Sequence, residues 1–251
     1  MSGPQLPTRE MIPVHDYVRE PVKLLSHLPH DWEMHAAVLL TPAEERTMVR
    51  EPIHAVPASV AERLGKVRIH VVPYVGCFES GDAVCFSKPE GETHSAVWVE
   101  VENRTHLFLA CRELDAHDTG FELLASIAQL LQPKLTGAED ERYEQLLGGE
   151  LAAEVGGEID KEALSAKEAF LKHPSHFADR KEHFTAYRDA SFASTMAEYM
   201  HGLWHDVQIR TGPEHLPVPQ LRSRMALLAQ MFPPNPGYRV FAREVEESDS
   251  G

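Results

Sequence analysis

Residues 105–132 read Thr-His-Leu-Phe-Leu-Ala-Cys-Arg-Glu-Leu-Asp-Ala-His-Asp-Thr-Gly-Phe-Glu-Leu-Leu-Ala-Ser-Ile-Ala-Gln-Leu-Leu-Gln, and the hydrophobic period changes inside them. Up to Cys111 the run is short and apolar, the mark of a strand; from Asp118 the apolar residues recur at helical spacing. Upstream, apolar runs at 34–40, 67–75, 83–87, 95–101 and 105–111 are separated by Glu-Ser-Gly-Asp, Pro-Glu-Gly-Glu and Glu-Asn-Arg. They predict strands, several of them in hairpins. One helix is predicted among them at Ala58–Leu64, closed by Gly65 where a left-handed residue commonly ends a helix. Downstream, helical spacing holds to about Phe232, predicting helices near 118–132, 139–147, 160–172, 177–210 with a break, and 218–231. Strands first and helices second give an α+β class, an N-terminal mixed or antiparallel sheet followed by a mainly helical C-terminal half. The chain divides into an N-terminal arm at 1–33, a single domain at 34–241 (sheet-rich 34–111, helical 112–232), and a disordered acidic tail at 242–251.

With 251 residues and 43% apolar content the chain can bury a real core without staples. Its 39 acidic residues against 24 basic ones, a formal charge of −15, argue against nucleic acid and anionic membranes, whose affinity rests on neutralising phosphates. Nine of those excess charges lie in residues 112–170, where fourteen acidic residues meet five basic ones, a solvated helical face with the option of a cation or partner surface. Three cysteines without a CxxC pair fit a reduced setting. No signal-peptide pattern and no long apolar span is present, so the expectation is a soluble, cytoplasmic protein. Gly-Gly at 148–149 and at 156–157 reads as helix ends and turns, since no strand leads into either.

The densest set of potential ligands is Glu198, His201 and His205, spaced three and four apart on one side of a predicted helix. On a helical wheel from Phe192, the residues Phe192, Met196, Tyr199, Met200, Leu203 and Val207 share one arc, while Ser194, Glu198, His201 and His205 gather opposite it. The favoured expectation is a polar face turned to water. If another element covers that face, the two imidazoles and the carboxylate make a hydrolytic zinc or a non-haem iron site. The 118–132 helix is apolar around most of its circumference, and Glu122 is its one charge after Gly120. Glu122 is either a site carboxylate that needs a partner or an edge residue near the helix N-terminus. Asp118 is the expected side-chain cap of that helix. His173, His176 and His183 have loop composition, no Gly-x-Ser-x-Gly elbow exists, and no cysteine has the local signature of a nucleophile.

A sheet with an edge strand, then a helix with Phe121-Glu122-Leu123-Leu124-Ala125, then a later helix with Ala197-Glu198-Tyr199, resembles the zincin metallopeptidases over roughly residues 67–207. In that family the first helix carries His-Glu-x-x-His and a later helix supplies the third zinc ligand, often a Glu. The resemblance matches Glu122 to the general base and Glu198 to the third ligand. Phe121 and Ala125 occupy both histidine positions, so it implies a scaffold without the standard zinc site. The expected function is a non-catalytic binding or regulatory protein with a protein or peptide partner and no cofactor. The alternative is a metal-dependent hydrolase or oxygenase with zinc or iron on Glu198, His201 and His205 and with Glu122 as base.

Overall fold

Turn residues and one proline partition the first half of the chain into short strands. The computed structural model describes residues 11–20, 24–172, 177–205, 207 and 209–241. Residues 1–10 and 21–23 of the expected arm, His173, His176, Asp206 and the acidic tail lie outside them. The elements begin β1 (Met11–Pro13), α1 (Val14–Tyr17), β2 (Ser26–His27), β3 (Glu33–Ala36), α2 (Pro42–Glu45), α3 (Glu51–Ala55) and α4 (Ala58–Leu64), with a π-helical turn at Arg46–Arg50. There follow β4 (Val67–Val72), β5 (Tyr74–Phe78), β6 (Gly81–Cys85), β7 (Thr93–His94), β8 (Ala96–Val101) and β9 (Arg104–Ala110). The helical part is α5 (Ala116–Leu131), α6 (Gly137–Ala152), α7 (Lys161–Lys172), α8 (Phe177–Trp204) and α9 (Val218–Met231). The class is α+β, as the change of period predicts. Among the described residues two compact units are present, one up to Ile53 with Leu64–Leu123, the other His54–Arg63 with those from Leu124 on.

The first unit holds both sheets. Its five-stranded sheet has the order β2-β3-β4-β9-β8, with β3, β4 and β9 parallel and the edge strands β2 and β8 antiparallel to their neighbours. The second sheet, β1-β6-β5-β7, is antiparallel throughout. The apolar run 67–75 is two strands because Pro73, with no N–H to give a ladder, separates β4 from β5. Register sets His35 beside His70 and His70 beside Phe108, and sets Glu33 beside Arg68 and Arg68 beside His106. One face of the sheet therefore runs from an ion cluster, in which Arg68 and Arg104 both bond Glu33, through imidazoles to Phe108. At the apolar end Ile12, Val14, Tyr17, Val75 and Val84 close a small core on Val72, Phe108 and Ala110.

The helical stretch Pro42 to Ala55 has no counterpart in the apolar runs, yet its start carries a capping box, Thr41 with Glu44. Gly65 closes α4 at φ 71°. At α5 the cap is Asp115 rather than Asp118: the Asp115 carboxylate accepts from the Asp118 N–H at 2.9 Å.

In the second unit α8 packs on α6, α7 and α9. It runs unbroken to Trp204, so neither the expected break nor the extension to residue 210 is found. Gly148 and Gly149 lie inside α6 and do not end it. Tertiary packing overrides their low helix propensity, since Tyr143, Leu147 and Glu150 bury one face of α6 across that point. Gly157 is a turn glycine with φ 69°, and a Cβ there would stand 2.2 Å from the His215 carbonyl oxygen. Only glycine allows that approach. It lets Glu158 donate to Glu214 O and accept from the Leu216 N–H, both at 3.0 Å. Among the described residues no helix is long and apolar enough to cross a membrane.

Candidate functional site

Four buried charged side chains tie the helices of the second unit together. Glu150 comes from α6, Glu158 from the following turn, Lys167 from α7 and Arg224 from α9. The Arg224 guanidinium donates to Glu158 through Nη1 (2.7 Å) and Nη2 (2.9 Å), to Glu150 through Nη2 (2.6 Å) and Nε, and to Ser191 Oγ (2.8 Å). Lys167 Nζ donates to Glu158 Oε1 at 3.1 Å and to Gly157 O at 2.9 Å, and the Tyr187 hydroxyl donates to the same carboxylate oxygen at 2.6 Å. Two positive and two negative charges balance, with nearly every donor used, as burial of charge requires. Burial alone pushes the Glu158 pKa up, but Arg224, Tyr187 and Lys167 outweigh it and hold the carboxyl below its usual range. Burial works against the charged Arg224 guanidinium, but the Glu158 and Glu150 carboxylates outweigh it and hold the group protonated.

This framework backs a cleft of about 520 Å³ lined by α6, α7 and the 213–214 segment. Its apolar lining includes Leu151, Val155, Leu164 and Pro213, with Leu171 59% exposed at its margin. Its charged lining is Glu154, Glu168 and Glu214, all exposed, and Lys167. Lys167 is already matched by Glu158, so the lysine does not offset those carboxylates. Exposed Glu168 meets exposed Lys172 at 3.0 Å and exposed Glu214 meets half-buried His215 at 3.4 Å, surface pairs of the kind that contribute little. The cleft thus joins an apolar surface to surplus negative charge, and it falls largely within the acidic stretch 112–170.

The anticipated ligand residues are placed differently from the water-facing expectation. Glu198 is 6% exposed and His201 2%, and Ser194 is buried too; of that face only His205 is exposed. The wheel misjudges it because α8 is enclosed along this stretch, and a single apolar arc says nothing about what covers the other arc. Glu198 Oε1 lies 3.8 Å from His201 Nδ1, and the rings of His201 and His205 are 5.9 Å apart. The ligand atoms of Glu198, His201 and His205 do not all converge within 4.8 Å. Glu122 belongs to the first unit and is half-buried; burial first, then the Asp118 carboxylate, raises its pKa.

No family model, curated protein or solved structure matches this chain.

Glu150, Glu158, Lys167 and Arg224 do not stand out as motifs. The signal that finds three of them is positional: Glu150 follows Tyr143 and Leu147, Lys167 lies between Ala163 and Phe170, and Arg224 lies between Leu221 and Leu228, each on the apolar stripe of its own helix. A charge on such a stripe is buried and must be paired.

Proposed function

We propose that this chain is a non-catalytic binding protein on a zincin-like scaffold, and that its helical unit takes a basic, partly apolar peptide segment. The observation that carries the reading is the cleft: exposed Glu154, Glu168 and Glu214 around Leu151, Val155 and Leu164, backed by a charge network that holds the wall in one arrangement. A lysine or arginine side chain suits it, because the alkyl stem covers apolar surface while the charged head meets carboxylates. The scaffold reading is supported by chain order, in which the antiparallel edge strand β8 precedes β9, and β9 leads into α5 with Glu122.

The test is titration of the full chain with a fluorescent peptide of alternating leucine and arginine, followed by anisotropy. Binding that weakens by about tenfold or more in Glu154→Gln/Glu168→Gln/Glu214→Gln supports the reading, since rim charges contribute up to about 1 kcal/mol each. Equal binding by the triple variant, or none at ~1 mM peptide, sinks it.

One observation favours the second reading, a metal-dependent hydrolase or oxygenase. Glu198 and His201 are enclosed side by side, 3.8 Å apart, instead of facing water. Stoichiometric zinc or iron in tag-free protein, lost in His201→Ala/His205→Ala, would favour it over the binding protein.

A further inference from the structure

A group of ligand-type side chains converges in the antiparallel sheet. Among the described residues, Cys77, Asp82 and His94 are the one group of three His, Cys, Asp or Glu side chains whose ligand atoms all lie within 4.8 Å of one another. Each comes from a different strand, and the register explains the meeting. Cys77 is on β5, the middle strand of β6-β5-β7; Asp82 on β6 is its direct partner, and His94 on β7 is opposite Val75. Alternation along β5 puts Val75 and Cys77 on one face, together with Val84, Asp82 and His94. Val75 and Val84 are fully buried, so the three polar residues stand where that face leaves the core. The imidazole and the carboxylate reach over the middle strand from its two sides and meet at the thiol. The Cys77 N–H donates to Glu92 O at 3.0 Å, which holds the approach to β7.

We propose that Cys77, Asp82 and His94 bind a Zn²⁺ ion with one coordination position open to solvent. His94 Nε2 and Asp82 Oδ1 are 3.4 Å apart. That is longer than the roughly 2.7–3.2 Å of a good hydrogen bond. It equals the separation of two ligands in a tetrahedral zinc site, about 3.4 Å for metal bonds of about 2.1 Å. The donor set selects the metal: a thiolate with an imidazole suits zinc and disfavours magnesium or calcium, which take oxygen ligands. Three protein ligands with a fourth position left over is the pattern of a zinc site that admits water or a further ligand. Binding releases the thiol proton to solvent as the Zn–S bond forms, so affinity rises with pH.

Cys77 is exposed whereas Cys85 and Cys111 are buried, which gives the site its own reporter. Tag-free full chain is treated with iodoacetamide, with and without one equivalent of zinc, and its cysteine peptides are quantified by mass spectrometry. Cys77 is expected to be alkylated readily without zinc and about tenfold more slowly with it, because the metal-bound thiolate is withdrawn from attack. Cobalt in place of zinc is expected to give a near-ultraviolet thiolate-to-cobalt band, absent in Cys77→Ser and weakened in His94→Gln and Asp82→Asn. An alkylation rate unmoved by zinc, or a cobalt band that persists in Cys77→Ser, overturns the proposal. So does zinc that is lost with His201→Ala/His205→Ala while Cys77 stays reactive. The alkylation arm uses the native sequence, so a variant that fails to fold leaves it intact.

Discussion

His70 is fully buried, stacked 4.7 Å from Phe108 and 5.2 Å from His106, with Tyr17 edge-on at 5.6 Å and His35 at 6.1 Å. Its Nε2 is 3.0 Å from His106 Nδ1, so one ring donates and the other accepts, and protonating both would break that bond. Burial, then the charges of His106, His35 and Arg68, holds the His70 pKa down at about 3. Burial, then Arg68 and Arg104 against the opposing pull of Glu33, holds His106 at about 4. Unfolded, both imidazoles take protons near pH 6.5. Between about pH 6.5 and 4 the unfolded chain therefore binds more protons than the folded one, and stability falls as the pH falls. Each neutral imidazole accounts for about 1.4 kcal/mol per pH unit while its unfolded counterpart is protonated. Urea unfolding of the first unit is expected to show that loss between pH 7 and 5, and His70→Phe, which keeps a stacked ring, to reduce its slope by about half. An unchanged slope in the variant would mean that the pair is not its source. That both residues lie in strands is legible from their apolar runs, but that residue 70 stands beside 106 and 108 is a matter of parallel register, which no local pattern encodes.

The helices are the most legible elements, because amphipathic spacing survives in α5, α7 and α9 to within two residues of their ends. What could not be read is how their charged members combine, since Glu150, Glu158, Lys167 and Arg224 are scattered over 75 positions (150 to 224, both included) and meet only through packing. Conversely, the wheel of α8 alone is blind to the neighbours that enclose Glu198 and His201. Arg224→Met tests the network at this scale. It leaves Glu150 and Glu158 buried with Lys167 as their remaining cation, and is expected to cost about 3–5 kcal/mol. The sign of the pH dependence should also invert. In the native chain the Glu158 pKa is lowered, so its contribution is present above the unfolded carboxyl pKa and is lost as the pH falls through the folded one. Without Arg224, burial dominates, the Glu158 pKa rises, and the variant should gain stability as the pH drops from 7 to 5. Hydrogen exchange of α8 and α9 amides reads this directly; a variant whose protection there does not rise between pH 7 and 5 would rule the account out.

Across the whole molecule, the order of sheet before helices is visible in the change of period after Cys111, whereas the division into compact units is not. Residues 54–63 precede every strand from β4 onward yet group with the helices, and α5 begins in one unit and ends in the other. Proximity of that kind is set by packing between segments remote in sequence, and periodicity carries no record of it. The units nevertheless differ in what acid does to them. His70 and His106 belong to the first, and their window of lost stability opens at about pH 6.5. The lowered carboxyl of Glu158 belongs to the second, and its stabilisation is still nearly complete at pH 5, above the unfolded Glu value of about 4.3. Lowering the pH from 7 to 5 should therefore weaken the sheet unit while sparing the helical one. Hydrogen exchange corrected for intrinsic rates is expected to show protection falling in β4 and β9 and holding in α8 and α9. Equal loss in both units would mean that they open as one cooperative body.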